Sequence, residues 1–290
     1  MTNPSATNST IANMPDYAAM LHAALTEPGT LHKAYSIFHN YSIGNAWLAL
    51  WTCACRNIEP GPINTYKGWQ ELGRQVRKGE KAISLVMPVT CKSKRAGQDA
   101  PETGTTETIA SAESESTFTR FILRPNWFVL SQTEGAEYIT PTIPNWSDSL
   151  ALTSLNITRI PFTHANGNTQ GYATIDREVA ISPIAVLPHK TLFHEIAHIV
   201  LGHLDTSTLT DDEYTPKSIR EVEAESVAYI LCESLQLPGA EYCRGYIREW
   251  LGNESGTKLP EKSAQRIFAA ANKILKAGQT GMIEKSIDKD

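Results

Sequence analysis

The sequence predicts an α+β protein of two domains, and three observations carry that prediction. Apolar residues recur at helical spacing from about Asp16 to Cys55, and again in four segments beyond residue 187. Short β-like runs separate these helical blocks. A Pro-containing polar stretch, Pro141 to Asp148, breaks the chain near its middle. The 290 residues suffice for two domains of ordinary size, and 41% apolar with 20% charged residues is globular composition.

In order along the chain, residues 1–12 are expected to be disordered and residues 13–140 to form the first domain. Leu21 and Leu25, then Tyr35 and Phe38, then Trp47, Leu48 and Trp51 mark two or three helices, which Gly61 and Pro62 interrupt. A short polar-aromatic helix is expected around Trp69 to Arg74, and β-like runs over 82–89 and from Phe118 to Leu130. Between those runs, residues 96–119 hold five acids and no Lys or Arg, which predicts a flexible loop joining two strands of one sheet.

Residues 141–150 read as a linker and 151–290 as the second domain. Strands are expected at 157–162, 171–174 and 178–182, with a turn in the polar stretch 165–170 between the first two. Helices are expected near 188–204, 216–235, 239–251 and 261–276. Thr215-Pro216 supplies a start signal for the second, with Thr as N-cap and Pro at the first helical position.

Composition narrows the function classes. A formal net charge of −5 excludes a chain that is basic throughout, so any nucleic-acid contact must be a local patch. The first thirty residues lack a basic segment followed by an apolar core, and no run of eighteen apolar residues occurs. Five scattered cysteines complete no zinc knuckle and read as reduced, mostly buried thiols. A cytoplasmic protein with no membrane contact is the expectation.

His194-Glu195-Ile-Ala-His198 is an H-E-x-x-H pattern within an apolar helix. Residues four apart lie about 40° apart around a helix, so His194 and His198 can grip one ion from one face. Glu195 sits about 100° from His194. There it can take a proton from water at the ion without displacing a ligand. About one helix later, Glu221 and Glu225 are four apart and share a face, while Glu223 points elsewhere.

Glu221 is the expected third ligand, and Glu225 the group that orients a histidine. The alternative makes Glu221 part of a capping box begun by Ser218. Two His and one Glu with an open position form a gluzincin-like site. Zinc is the expected ion, with Mn2+ or another divalent metal as the alternative. His203 falls nine residues after His194, on the opposite face of a continued helix, and reads as a helix-end cap. By analogy with zincin proteases, the strand at 178–182 is expected to be the edge strand above the metal, able to hold an extended peptide.

The first half carries a second candidate site. Residues 60–95 hold eight basic groups against two acids. Arg74, Arg77, Lys78 and Lys81 can neutralise phosphates, while Tyr66 and Trp69 offer faces for unpaired bases. The alternative is structural: Trp69 and Leu72, three apart, serve the core, and the charges form a solvated face.

Both halves together resemble the ArdC-type antirestriction proteins of conjugative plasmids and related mobile elements. In the first half the likeness rests on Asn40-Tyr-Ser-Ile-Gly-Asn45-Ala-Trp, on the stretch from Tyr66 to Lys81, and on Ser131 to Gly135. In the second it rests on residues 187–198 and 221–229. The resemblance implies an N-terminal domain that binds single-stranded DNA and a C-terminal metalloprotease-like domain related to SprT and IrrE proteins. It also implies protection of an incoming plasmid strand from host restriction. Three rival readings remain: a non-catalytic DNA-coating protein with a vestigial metal site, a SprT-like protease acting on DNA–protein crosslinks, and a protease acting on one regulator. Single-stranded DNA is the expected partner, with a protein or peptide substrate as a second.

Overall fold

The computed structural model describes residues 15–92, 117–163, 169–204, 216–253 and 259–280. Helices α1 (Tyr17–Thr26), α2 (Thr30–Phe38) and α3 (Ile43–Arg56) open the described chain. Asp16 accepts a hydrogen bond from the Ala19 amide and Ser42 one from the Asn45 amide, so α1 and α3 begin on side-chain caps. Of the expected apolar positions, Leu21, Leu25, Tyr35, Phe38 and Trp47 are buried, Leu48 is partly buried and Trp51 is exposed.

Next come β1 (Ile63–Thr65), α4 (Tyr66–Glu71), β2 (Arg74–Val76), β3 (Ile83–Lys92), β4 (Thr117–Val129) and β5 (Thr133–Gly135). The expected helix at 69–74 therefore lies three residues earlier, at the same length. Gly73, at φ +72, turns the chain so that Arg74 already begins a strand. Strands β1, β4 and β3 form an antiparallel sheet in that order, and β2 pairs with β5. The expected pairing of the two strands around the acidic stretch holds. Residues 117–119 of that stretch belong to β4, and the rest of it lies outside the described residues, as do 1–12 and most of the turn at 165–170.

Strand β3 lies at the sheet edge, and Asn45 covers it. The Asn45 amide donates to the Val86 carbonyl and accepts from the Val86 amide, both at 2.9 Å, taking the place of a neighbouring strand.

The second half begins with α5 (Asp148–Ser154), a helix that the sequence pattern does not predict. Strands β6 (Thr158–Arg159), β7 (Gly171–Ala173) and β8 (Glu178–Ile181) form a small sheet in the order β6-β8-β7. This corrects one expectation: β8 is central, and β7 is an edge strand. Helices α6 (Pro188–Leu201), α7 (Lys217–Leu235), α8 (Ala240–Asn253) and α9 (Glu261–Gly278) complete the fold. Helix α7 is buried on every face from Val222 to Cys232 and packs against α2, α6, α8 and α9. Pro216 stands at its N-cap position rather than inside it, and Thr215 lies outside the described residues. Ser218 is thus within the helix, and the capping-box reading of Glu221 falls away.

The segment 136–147 divides the sequence, yet helices on both sides of it share one apolar core. Leu31 and Phe38 belong to the same cluster as Ile196, Val227 and Ile267. Carboxylates from the second half also cap helices of the first. Glu261 accepts from the Tyr17 and Ala18 amides at 3.0 Å, and Glu233 accepts from the Gly29 amide.

Candidate metal centre and nucleic-acid face

Helix α6 starts with Pro188, pre-set for the first turn, and places His194 and His198 on successive turns of one face. Their Nε2 atoms are 3.1 Å apart. Glu221, from α7, brings Oε2 to 3.4 Å from His194 Nε2 and 3.7 Å from His198 Nε2. An ion held tetrahedrally at about 2.0–2.1 Å separates its ligand atoms by roughly 3.3–3.4 Å. The three atoms thus form a triangle of the size one such ion requires, and among the described residues this is the group able to hold one.

Each histidine is also held from its far side. Glu225 Oε2 lies 2.9 Å from His194 Nδ1, and Lys190 Nζ lies 2.7 Å from Glu225 Oε1. Burial pushes the Glu225 carboxyl up, but hydrogen bonds from His194 and Lys190 outweigh it and hold its pKa at about 2. Burial likewise disfavours the charged form of His194, yet hydrogen bonds to Glu221 and Glu225 raise its pKa to about 9. The acid pair therefore demands a positive charge at this point, from a proton or from a cation. Motif reasoning misses Lys190; its place four residues before His194, and so on the same face, is the signal that could have found it.

His203 stands at the helix end as expected, but its side chain turns inward instead of capping the helix. Helix α6 ends at Leu201, and Gly202 enters the left-handed region at φ 74. The His203 amide donates to the His198 carbonyl at 2.9 Å and the Gly202 amide to the Ile199 carbonyl at 3.2 Å, a Schellman turn. That turn carries the imidazole back over the helix, where it is buried against His198 with ring centroids 5.1 Å apart. His203 Nδ1 lies 3.0 Å from His198 Nδ1, and His203 Nε2 lies 2.8 Å from Glu223 Oε2. Glu223 does point away from Glu221, as expected, and what it meets there is His203.

The centre opens onto a cleft of roughly 350 Å3 lined by Glu195, the three candidate ligands and β7. Gly171 of β7 approaches α6 so closely that a Cβ there would sit 2.7 Å from the Thr191 methyl. Burial raises the Glu195 carboxyl above the usual range, against the lowering influence of His194 and His198.

The expected nucleic-acid residues divide into two groups. Trp69 is fully buried, donates its indole N–H to the Phe128 carbonyl at 2.8 Å, and meets the Tyr138 ring edge-on. It cannot stack on a base, because the short helix α4 turns it into the sheet. Arg74 is tied down as well: Nε donates to Thr133 Oγ1 at 2.8 Å, and the two Nη atoms donate to the Thr133 and Ala136 carbonyls. Arg77 donates to the Ser131 carbonyl at 2.5 Å and pairs with Glu80 at 2.9 Å.

Tyr66, Lys78 and Lys81 are exposed, and Tyr66 Oη accepts from Gln75 at 2.5 Å. The exposed Arg120, Phe121 and Arg124 on β4 escape the sequence-based selection. They sit in an apolar run, and the even spacing of Arg120 and Arg124, which puts both on one strand face, is the signal that marks the arginines.

Comparison with known proteins finds one family model, which matches part of the chain. Residues 21–121 match the family model described as the N-terminal domain of anti-restriction factor ArdC. Among solved structures, the metal-free antirestriction ArdC protein from R388 plasmid is 21% identical, with 90% of this chain and 97% of that chain covered at a TM-score of 0.49. Its Mn(II)-bound structure is 20% identical, with 93% and 100% covered at a TM-score of 0.48. No curated protein matches the chain.

Proposed function

We propose that this chain, whose residues 21–121 match the model of the N-terminal domain of anti-restriction factor ArdC, is an antirestriction protein that coats single-stranded DNA without strong sequence preference and protects incoming plasmid DNA during conjugation. Its second half is a zinc-dependent metallopeptidase-like domain in this reading, and the protein works in the cytoplasm. The observation that carries the proposal is the presence, in one chain, of that N-terminal domain and of the His194, His198 and Glu221 triangle beside an open cleft.

His194, His198 and Glu221 would hold a divalent ion, which would supply Lewis acidity and activate water there. Glu195 lines the same cleft, and its raised pKa suits a group that must accept a proton near neutral pH and then return it. Strand β7 is an edge strand of the sheet order β6-β8-β7, so its outer side is available to pair with an extended peptide. Lys78, Lys81 and Tyr66 supply charge and a stacking face for an unpaired strand. Among the described residues no helix is long and apolar enough to cross a membrane.

The test is plasmid transfer into a restricting recipient, comparing wild type with Glu195→Ala and with a Lys78/Lys81 double alanine variant. Protection should collapse in the lysine variant. Full protection by that variant, while it remains folded, would overturn the DNA-coating reading. The β7 edge beside the cleft favours a second reading, a DNA-dependent protease that clears protein crosslinked to DNA. Wild type, but not Glu195→Ala, would then degrade a protein crosslinked to a single strand. Equal protection by Glu195→Ala, with no cleavage by wild type, would leave a non-catalytic coating protein.

A further inference from the structure

The two candidate histidine ligands are supported in parallel but unequal ways. His194 Nδ1 meets the carboxylate of Glu225 directly, and that carboxylate is paired with Lys190. His198 Nδ1 instead meets a second imidazole, His203 Nδ1 at 3.0 Å, and His203 Nε2 meets Glu223 Oε2 at 2.8 Å. Glu223 Oε1 has no hydrogen bond; its partner is Arg266 of α9, 3.6 Å away, which donates to the Leu201 carbonyl at 2.7 Å. His203 and Glu223 are both almost wholly buried, with side-chain exposures of 2% and 0%.

We infer that His203 and Glu223 are positioning residues for the metal centre, a relay that fixes the tautomer and the ring plane of His198. The inference rests on reading His198 as a ligand through Nε2. A neutral imidazole that offers Nε2 to a cation must carry its proton on Nδ1. The His198 Nδ1–H then donates to His203 Nδ1, which leaves His203 with its proton on Nε2, and that N–H donates to the Glu223 carboxylate. Every donor in the chain finds an acceptor in this one arrangement, and the last acceptor is an anion. The relay thereby makes His198 a better donor to a cation, as carboxylate partners of ligating histidines do.

A plain structural role is the competing account: Glu223 and Arg266 would join α7 to α9, and His203 would fill the space between. Geometry favours the relay, because the Schellman turn at Gly202 is what delivers the His203 ring to the Nδ1 edge of His198.

The experiment uses the full chain and the Zn2+ ion alone, with affinity measured by chelator competition. His203→Leu keeps the bulk and removes the acceptor, and it should weaken Zn2+ by about 10–100-fold. His203→Gln, whose amide oxygen can accept from Nδ1–H, should recover much of that loss. Glu223→Gln is nearly isosteric and should weaken Zn2+ in the same direction; it keeps the inference testable should His203→Leu fold poorly. The ligand-field bands of the Co2+-loaded protein should change in His203→Leu and Glu223→Gln.

Glu233→Gln, on the same helix but capping α2 at Gly29, is the control: it should lower the melting temperature and leave Zn2+ affinity unchanged. Wild-type Zn2+ affinity and Co2+ spectra in folded His203→Leu and Glu223→Gln would overturn the relay. Undiminished Zn2+ binding in His198→Ala would instead overturn the ligand reading beneath it.

Discussion

Tyr229 donates its phenolic hydrogen bond to the carbonyl of Ala24, 2.6 Å away, and so joins the helix that presents Glu221 and Glu225 to the first helix of the N-terminal half. The hydroxyl is buried, and burial holds its pKa well above the usual tyrosine range. Together with the Glu233 contact at Gly29 and the Glu261 contacts at Tyr17 and Ala18, it makes α7 and α9 a scaffold for α1 and α2.

Tyr229→Phe should therefore destabilise the whole chain rather than one half. An unsatisfied buried carbonyl costs about 1–3 kcal/mol. Thermal melting followed at the metal-centre end and at the tryptophans of the first half should show one shared transition, lowered in the variant. Two well-separated transitions would mean that the continuous core does not couple the halves.

Metal content tests the triangle directly. The purified chain should bind close to one divalent ion, lose it in His194→Ala, and bind it much more weakly in Glu221→Ala. Full occupancy in Glu221→Ala, read by elemental analysis, would remove Glu221 as third ligand. Neither neighbour is free to replace it without rearrangement, since Glu225 holds His194 and Lys190 and Glu223 holds His203.

The metal helix is legible in the sequence because an uninterrupted α-helix fixes the relation of residues four apart. His203 is not, because one left-handed glycine ends the helical wheel on which its direction is reckoned. Trp69 misleads for a related reason: a six-residue helix followed by Gly73 rotates it into the sheet, and no periodicity shows in so short an element. Helix α5 escapes because seven residues with two buried positions, Ala151 and Leu152, leave too little pattern to read. The exchange of β8 for β7 as the edge strand depends on which strands pair, which spacing alone does not encode.

In the proposed nucleic-acid face, Trp69 is buried and Arg74 is held by backbone carbonyls, whereas Lys78, Lys81 and Tyr66 are exposed. The Lys78/Lys81 double alanine variant should bind single-stranded DNA more weakly and with a shallower salt dependence, by about 0.7 in the log–log slope for each phosphate no longer neutralised. Trp69→Phe should instead lose about 0.5–1.5 kcal/mol of stability with the hydrogen bond to the Phe128 carbonyl. A folded Trp69→Phe that binds DNA poorly, beside a lysine variant that binds normally, would reverse this assignment.

Acid should loosen the turn that carries these lysines. Glu80 accepts hydrogen bonds from Gln132 and from Arg77, and these hold its pKa below the ordinary 4.5. A carboxyl whose folded pKa lies below its unfolded one contributes stability above the unfolded pKa and loses it as pH falls through the folded one. Urea midpoints should thus fall below about pH 4.5 more steeply in wild type than in Glu80→Gln. Parallel acid limbs for the two proteins would show that these bonds add nothing to stability.

Loss of Glu195 should separate hydrolysis from coating, even though the two halves share a core. The shared core runs through residues such as Phe193, Ile196 and Val227, whereas the Glu195 side chain lines the cleft, away from the hydrogen bonds of Tyr229, Glu233 and Glu261 that join the halves. It is also none of the three residues of the triangle, so Glu195→Ala should keep its metal. Coating requires only phosphate neutralisation and stacking by residues of the first half. Glu195→Ala should accordingly retain its melting temperature, its metal and its affinity for single-stranded DNA, while any peptide cleavage by wild type disappears. If DNA affinity falls in Glu195→Ala with circular dichroism and metal content unchanged, the cleft and the DNA face communicate through α7, and the division of labour proposed for the two halves is wrong.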